Sequence, residues 1–413
     1  MHKLTIQLKQ HTPILHFQHD QVGATLRATE VKPKLDKFLI QHAYQNKFDD
    51  YKEFLQGYKG ESKDKMKHEA FAYQLSFTAK EIQMSDRNNL PGYFAEIGNK
   101  GEVGKKLSFA EGLQMHIKSR KAKLLEVIKE NINSFLMQHN FGTRQSRGFG
   151  SFTVHPEDKL YKPVALDYRF EVDNYTSAKF DQWKNLFNNI DLFARSLRAG
   201  LNLKGKGAKT TYYFKSLAFI YAKNVLDAQW DKKTIKENFF PTFLIEQQAE
   251  HNQTDILSYK GKELLVKDLF GLSTVESWYS YKGSIVKESK KENDGKKAIV
   301  ERFQSPILFK PTKKSNGSFS VHFNFKTISE KMLDQTFTVD FNLKKDQRPN
   351  SSSQKRKKSN KAFQIKTPSV FDFNEFFEYI LNNVDIDDHV DSIYHGAPEH
   401  NILDNIYAQL KEQ

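Results

Sequence analysis

The sequence predicts an α+β protein of two domains, each a ferredoxin-like (RRM-like) unit carrying helical and loop insertions. Three observations carry that prediction. Apolar and polar residues alternate at Leu4, Ile6 and Leu8 against Lys3, Thr5, Gln7 and Lys9, and again through Phe71, Tyr73, Leu75 and Phe77, which is strand periodicity. Between Leu113 and Gln138, the residues Ile117, Leu124, Ile128, Ile132 and Phe135 keep helical spacing. A length of 413 residues suits two domains.

In order, the first strand is followed by Thr12-Pro13, where proline suits an edge or a bulge. A helix is expected over Gly23–Leu39, with Arg27 in its first turns and a kink near Pro33. Asp49–His68 is polar and lysine-rich and reads as an exposed insertion, Glu69–Ala79 as a strand, Asn88–Gly92 as a turn and Tyr93–Ile97 as a strand. The basic helix ending near Gln138 leads into a glycine-rich loop, 140–152, and a further strand. The resulting order β, α, β, β, α, loop, β is that of a ferredoxin-like domain over 1–160.

The second domain is expected over 161–413, after the boundary at Pro156–Pro163. Leu166, Tyr168, Phe170 and Val172 alternate as a strand, and Phe180 to Leu197 follow at helical spacing, restarting the β–α pattern. Leu201–Thr210 lacks the P-loop spacing and reads as an exposed linker or a phosphate contact. Two late strands, 319–325 and 337–343, are expected to close the second sheet, and Phe371–Leu381 reads as an amphipathic helix. The basic linker 346–361 has too little apolar surface to pack.

Charge and composition narrow the function. Lys and Arg number 64 against 50 Asp and Glu, a formal net charge of +14. The acidic tail, residues 385–413, carries −6, which leaves +20 on the rest. Such a field attracts a polyanion and makes binding salt-dependent. The absence of cysteine excludes disulfides, thiolate zinc sites and a cysteine nucleophile. No apolar run is long enough to span a bilayer and the N-terminus does not resemble a signal peptide, so a cytoplasmic protein is expected.

The loop Asn140–Phe152 places Gly142, Gly148 and Gly150 beside Arg144, Arg147 and Phe149. Glycine lets the backbone turn sharply and lets another chain come close. The two guanidinium groups can meet phosphate oxygens, and the phenylalanines offer faces to a base or to the core. Turn punctuation with solvated arginines is the plain alternative. Ser146-Arg-Gly-Phe-Gly-Ser-Phe152 resembles the glycine-rich loop of the RAMP superfamily, the RNA-binding subunits of CRISPR effector complexes. Thr12-Pro13 followed by Gly23-Ala-Thr-Leu-Arg27 is similar to that family's first turn and first helix. Lys267–Leu272 and Arg302–Pro311 resemble segments of a type III (Cmr-type) complex subunit that sits near the guide's 3′ end.

The resemblance implies an RNA-binding structural subunit that contacts guide RNA and target RNA, has other complex subunits as neighbours, and caps the 3′ side of the filament. Arg27, Arg144 and Arg147 would then contact phosphates. It also leaves open a metal-independent endoribonuclease that processes guide RNA, or a scaffold without RNA contacts. His16, His19 and Asp20 are the candidate catalytic residues of the nuclease reading, set against their reading as structural histidines and a solvated loop acid. No catalytic constellation accompanies them. Asp385–Asp391 lacks the glycine and terminal glutamate of an EF-hand, and neither metal nor cofactor is expected.

Overall fold

The alternation at the start of the chain becomes strand β1 (His2–Gln10) in a computed structural model that describes residues 1–15, 25–66, 68–86, 106–173, 182–205, 207, 209–240, 260–278, 281, 283–292, 297–343 and 362–413. The expected strand at 93–97 and the basic linker 346–361 lie outside the described residues. The fold is α+β, and the chain divides into one unit of Met1–Asp191, Leu308–Asn324 and Gln413, and another of Leu192–Ile307 and Phe325–Glu412.

In the first unit, β1 is followed by helix α1 (Ala28–Phe38), which begins one residue after Arg27 and accommodates Pro33 in its interior. A π-turn, Leu39–Ala43, extends it, and a short helix α2 (Phe48–Tyr51) follows. The polar stretch after Asp49 is anchored by two buried residues. Tyr51 donates its hydroxyl to Glu69 at 2.5 Å, and Leu55 bridges to Phe71. Strand β2 (Tyr73–Thr78) then enters the sheet, and a hairpin of β3 (Glu81–Asp86) and β4 (Lys106–Glu111) extends from it.

Leu113–Ser119 is strand β5, where helical spacing is expected from the sequence. Ile117 fits both periods, but Leu113, Met115, Ile117 and Ser119 are all buried, which is period two. The helix proper, α3 (Ala122–Met137), starts after them, and strand β6 (Phe152–Val154) completes the set. The sheet runs β2-β5-β1-β6 with every pair antiparallel. Leu4, Ile6 and Leu8 face the same core as Ile128, Ile132 and Phe135 of α3. Each such buried side chain contributes roughly 1.5–3 kcal/mol.

Strand β7 (Tyr168–Val172) and helix α4 (Gln182–Arg198) follow. The second unit then contains the hairpin β8 (Leu201–Lys204) and β9 (Thr210–Phe214), so the stretch expected as a linker is largely strand. It continues through helix α5 (Leu217–Asn224), strand β10 (Ala228–Gln229), helix α6 (Asp231–Phe239), strand β11 (Lys262–Glu263), strand β12 (Val275–Trp278) and strand β13 (Gly283–Ser289).

Strands β14 (Ile307–Lys313) and β15 (Phe319–Phe325) return largely to the first unit, where they form a three-stranded sheet in the order β14-β15-β7. Strands β16 (Thr336–Leu343) and β17 (Phe363–Lys366) join a different sheet, β12-β13-β16-β17. The two late strands therefore do not close one sheet together.

Helices α7 (Phe373–Asn383), α8 (Ile386–His389) and α9 (Pro398–Lys411) end the chain. Asp372 and the first residue of the acidic tail, Asp385, act as helix caps. Asp372 accepts from the backbone N–H groups of Asn374 and Glu375, and Asp385 from those of Asp387 and Asp388.

The second unit buries an ionic network. Lys287 and Asp268, both 1% exposed, pair at 2.5 Å, and Lys267 pairs with Glu276 at 2.8 Å. Burial pushes the nearby Asp231 carboxyl up to about 6. A raised carboxyl pKa gives stability that is fully present below the unfolded value and is lost as pH rises through the folded one. The window is therefore from about pH 4 to about pH 6, and the loss amounts to roughly 3 kcal/mol. Thermal melts of Asp231→Asn and wild type should accordingly diverge in favour of Asn between pH 4 and pH 7.5. A constant difference across that range would refute the assignment.

Candidate nucleic-acid interface

The first turn of α1 and the glycine loop are tied together by one carboxylate. Glu30 Oε1 accepts from the Gly142 N–H at 2.8 Å, from Gln145 Nε2 at 3.1 Å and from Lys34 Nζ at 3.1 Å. Lys34 also donates to Asn140 O and to Gln145 Oε1. Arg27, one turn before Glu30, therefore sits at the helix start that is bonded to the loop carrying Arg144 and Arg147. Both loop arginines are half-buried.

Within the loop, Arg147 N donates to Arg144 O and Gly148 N to Gln145 O, so the chain turns tightly. Arg144 holds φ +58°, a left-handed conformation costing a non-glycine residue roughly 1–2 kcal/mol. Such strain persists where the surroundings enforce it, and it concentrates at ligand-binding positions.

The glycines are buried and required. A Cβ on Gly150 (φ +65°) would lie 1.9 Å from Phe141 O, and one on Gly142 (φ +81°) 2.7 Å from both Ile14 Cγ1 and Leu15 O. On Gly148 (φ +85°) it would meet Pro311 Cγ at 2.8 Å. Of the two uses open to Phe149, the structure shows the core. The ring is fully buried and stacks on Phe187 with centroids 3.8 Å apart and planes 2° from parallel.

Several residues that hold the loop carry no local signal. The Thr12 hydroxyl donates to Gly148 O at 2.6 Å and accepts from Ser151 N at 2.9 Å. Asn140 Nδ2 donates to Gln145 O and to Phe309 O, each at 2.7 Å. Lys310, fully buried, donates to His139 O at 2.9 Å, Phe152 O at 2.8 Å and Asn140 Oδ1 at 3.3 Å. Burial pushes its pKa well down, while three oxygens meet the three N–H bonds of the ammonium form. Strand β14 thus grips both arms of the loop.

His16, His19 and Asp20 lie outside the described residues. His11, close to them in sequence, is structural. Its Nδ1 accepts from Lys313 N–H at 2.8 Å, which leaves the proton on Nε2 to be donated to Thr153 Oγ1 at 2.8 Å. Burial, with the charges of Lys310 and Lys9, pushes the imidazole pKa well below its ordinary value.

In the second unit, donor atoms of Asp387, His395 and His400 come within 4.8 Å of one another. The two imidazoles are stacked, with centroids 4.7 Å apart and planes at 9°. An ion bound by two histidines must lie in both ring planes at about 2.0–2.1 Å from each nitrogen. Nearly parallel stacked rings do not allow that without one of them turning.

The chain matches family models for the Cmr1 N-terminal domain over residues 1–201 and for the Cmr1 C-terminal domain over residues 213–405. Among solved structures it is similar to the crystal structure of Cmr1 from Pyrococcus furiosus in its apo form. The identity is 14% and the TM-score 0.32, over 80% of this chain and 90% of that one. A search of curated proteins finds no match.

Proposed function

The chain belongs to the Cmr1 family and is a subunit of a type III CRISPR complex, and from that premise we propose that it is a cytoplasmic RNA-binding structural subunit. It contacts guide RNA or target RNA and caps the side of the filament at the guide's 3′ end. Arg27, Arg144 and Arg147 hold phosphates, and Gly142, Gly148 and Gly150 shape the loop. Phe149 serves as the loop's anchor in the core, so base stacking is not part of its role. The observation that carries this reading is the Glu30 carboxylate, which fixes the arginine-bearing loop to the helix start that carries Arg27.

The strand order supports a ferredoxin-like first domain within residues 1–160. Taking β1, β2, β5 and β6 as its four strands, the order β2-β5-β1-β6 and the intervening helices α1 and α3 are those of a βαββαβ unit. A second ferredoxin-like half is supported by β7, α4, β14 and β15. Their order β14-β15-β7 repeats three of the first sheet's four positions, with the residues between α4 and β14 inserted.

Replacing Arg144 and Arg147 together with alanine should weaken binding of single-stranded RNA about tenfold. The slope of log affinity against log salt should fall by about 1.4, or 0.7 for each lost phosphate contact. Unchanged affinity and slope in the full-length protein would remove the loop from the interface.

A further inference from the structure

We infer that the open face of the first sheet is a second RNA-contacting surface, one that tracks the sugar–phosphate backbone without stacking bases. This deepens the reading of the chain as an RNA binder and rests on it, but it uses different residues on a different face.

One face of the sheet is covered by apolar packing. On the other, the outward positions run through Lys3–Lys9 of β1, Gln74–Thr78 of β2 and Gln114–Lys118 of β5. These positions hold lysine, histidine, glutamine, serine and threonine, with no carboxylate and no Phe, Tyr or Trp. Lys3 and Lys118 are direct cross-strand neighbours, and both are exposed. Two like charges placed side by side destabilise a sheet unless an anion lies over them. Neither lysine makes an ion pair among the described residues.

At the centre, His116 is held by hydroxyls on both sides, Thr5 Oγ1 at 3.1 Å from Nδ1 and Thr78 Oγ1 at 2.8 Å from Nε2. A hydroxyl can donate or accept, so this row suits a ribose 2′-OH, which does both. The exposed positions Lys3, Thr5 and Gln7 run over four residue steps of one strand, about 13 Å, which accommodates a short run of nucleotides. Lys9, beyond them, is half-buried and donates to Lys313 O.

Among the described residues of these strands and the segments joined to them, the acids lie at the margins. Glu81 and Glu111 face each other in the hairpin beyond the last β2–β5 pair, and Asp158 accepts from Gln7 N at the β1 edge. Without Phe, Tyr or Trp, and with the His116 ring bonded between two hydroxyls, the face lacks the aromatic platforms on which RRM sheets stack bases. Its chemistry fits phosphate and ribose, and the partner is single-stranded RNA.

The test uses full-length protein, a labelled single-stranded RNA, and DNA of the same sequence. Lys3→Glu with Lys118→Glu should weaken RNA binding about tenfold and lower the salt slope by about 1.4. A control pair, Lys260→Glu with Lys262→Glu, changes net charge equally on exposed residues elsewhere and should have a smaller effect. Thr5→Val with Thr78→Val should reduce the preference for RNA over DNA.

The inference is overturned if the control pair weakens binding as much as the sheet pair, because the effect is then only that of the overall field. It is equally overturned if the sheet pair binds RNA normally but fails to join its protein neighbours, which would make the occupant an acidic protein surface. Weakening by the Arg144/Arg147 variant alone leaves the loop interface standing and removes the sheet face. Absence of RNA binding by the wild type, alone and in its complex, removes both.

Discussion

Gly150→Ala is expected to destabilise the first unit by about 4 kcal/mol or more, enough to unfold many domains. The residue sits at φ +65°, and the new Cβ would lie 1.9 Å from Phe141 O. The obstacle is backbone, which cannot swing aside as a side chain does. It is also fixed at both ends, since Phe141 N donates to Gly150 O at 3.0 Å and Gly150 N donates to Pro13 O at 2.9 Å. Gly57→Ala is the matched comparison. Its φ is +77°, yet nothing lies within 4 Å of the added carbon, so it should cost only the left-handed penalty of about 1–2 kcal/mol. Urea unfolding of both variants measures the difference, and equal losses would show that the close approach at Gly150 is not enforced.

The second large effect is expected at Asn140, 1% exposed. Asn140→Ala strips the donor from two backbone carbonyls, Gln145 O and Phe309 O, and removes one oxygen from Lys310. Each buried polar group left unpaired costs about 1–3 kcal/mol, so the loss should be about 3 kcal/mol or more. Asn131→Ala removes only a local bond to Val127 O in α3 and should lose about 1 kcal/mol or less. On the proposed reading of the loop as an RNA contact, the Asn140 variant should also lose RNA affinity, because the loop is no longer held against β14. Stability loss with RNA binding intact would mean that the loop's placement does not govern its contacts.

What could be read from the chain alone follows the range of the interactions. Strands with strict alternation, such as Leu4, Ile6 and Leu8, are visible because their periodicity is local, and the same holds for α3 and for the need for glycine at 142, 148 and 150. Leu113–Ser119 was hidden because Ile117 satisfies two periods, and only burial of Met115 and Ser119 decides between them. Tyr51 and Leu55 were hidden in a lysine-rich stretch because two apolar anchors hardly alter its composition.

The groups that fix the loop were beyond local reading for a different reason. Thr12 bonds Gly148 136 residues away, and Asn140 bonds Phe309 across 169. A buried lysine such as Lys310 looks, in sequence, like any solvated one. Phe149 offered two uses, and only Phe187 lying parallel over it shows which is taken.

The distance in sequence between the loop and Lys310 has a consequence for how the protein is born. Lys310 joins Phe152 across 158 residues. At roughly 5–20 residues per second, a ribosome takes on the order of ten seconds or more to travel that stretch. Throughout that interval the emerging strands β1 to β6 can pair but lack the clasp that closes the arginine loop, so the loop is locked in its folded shape only after Lys310 has been added.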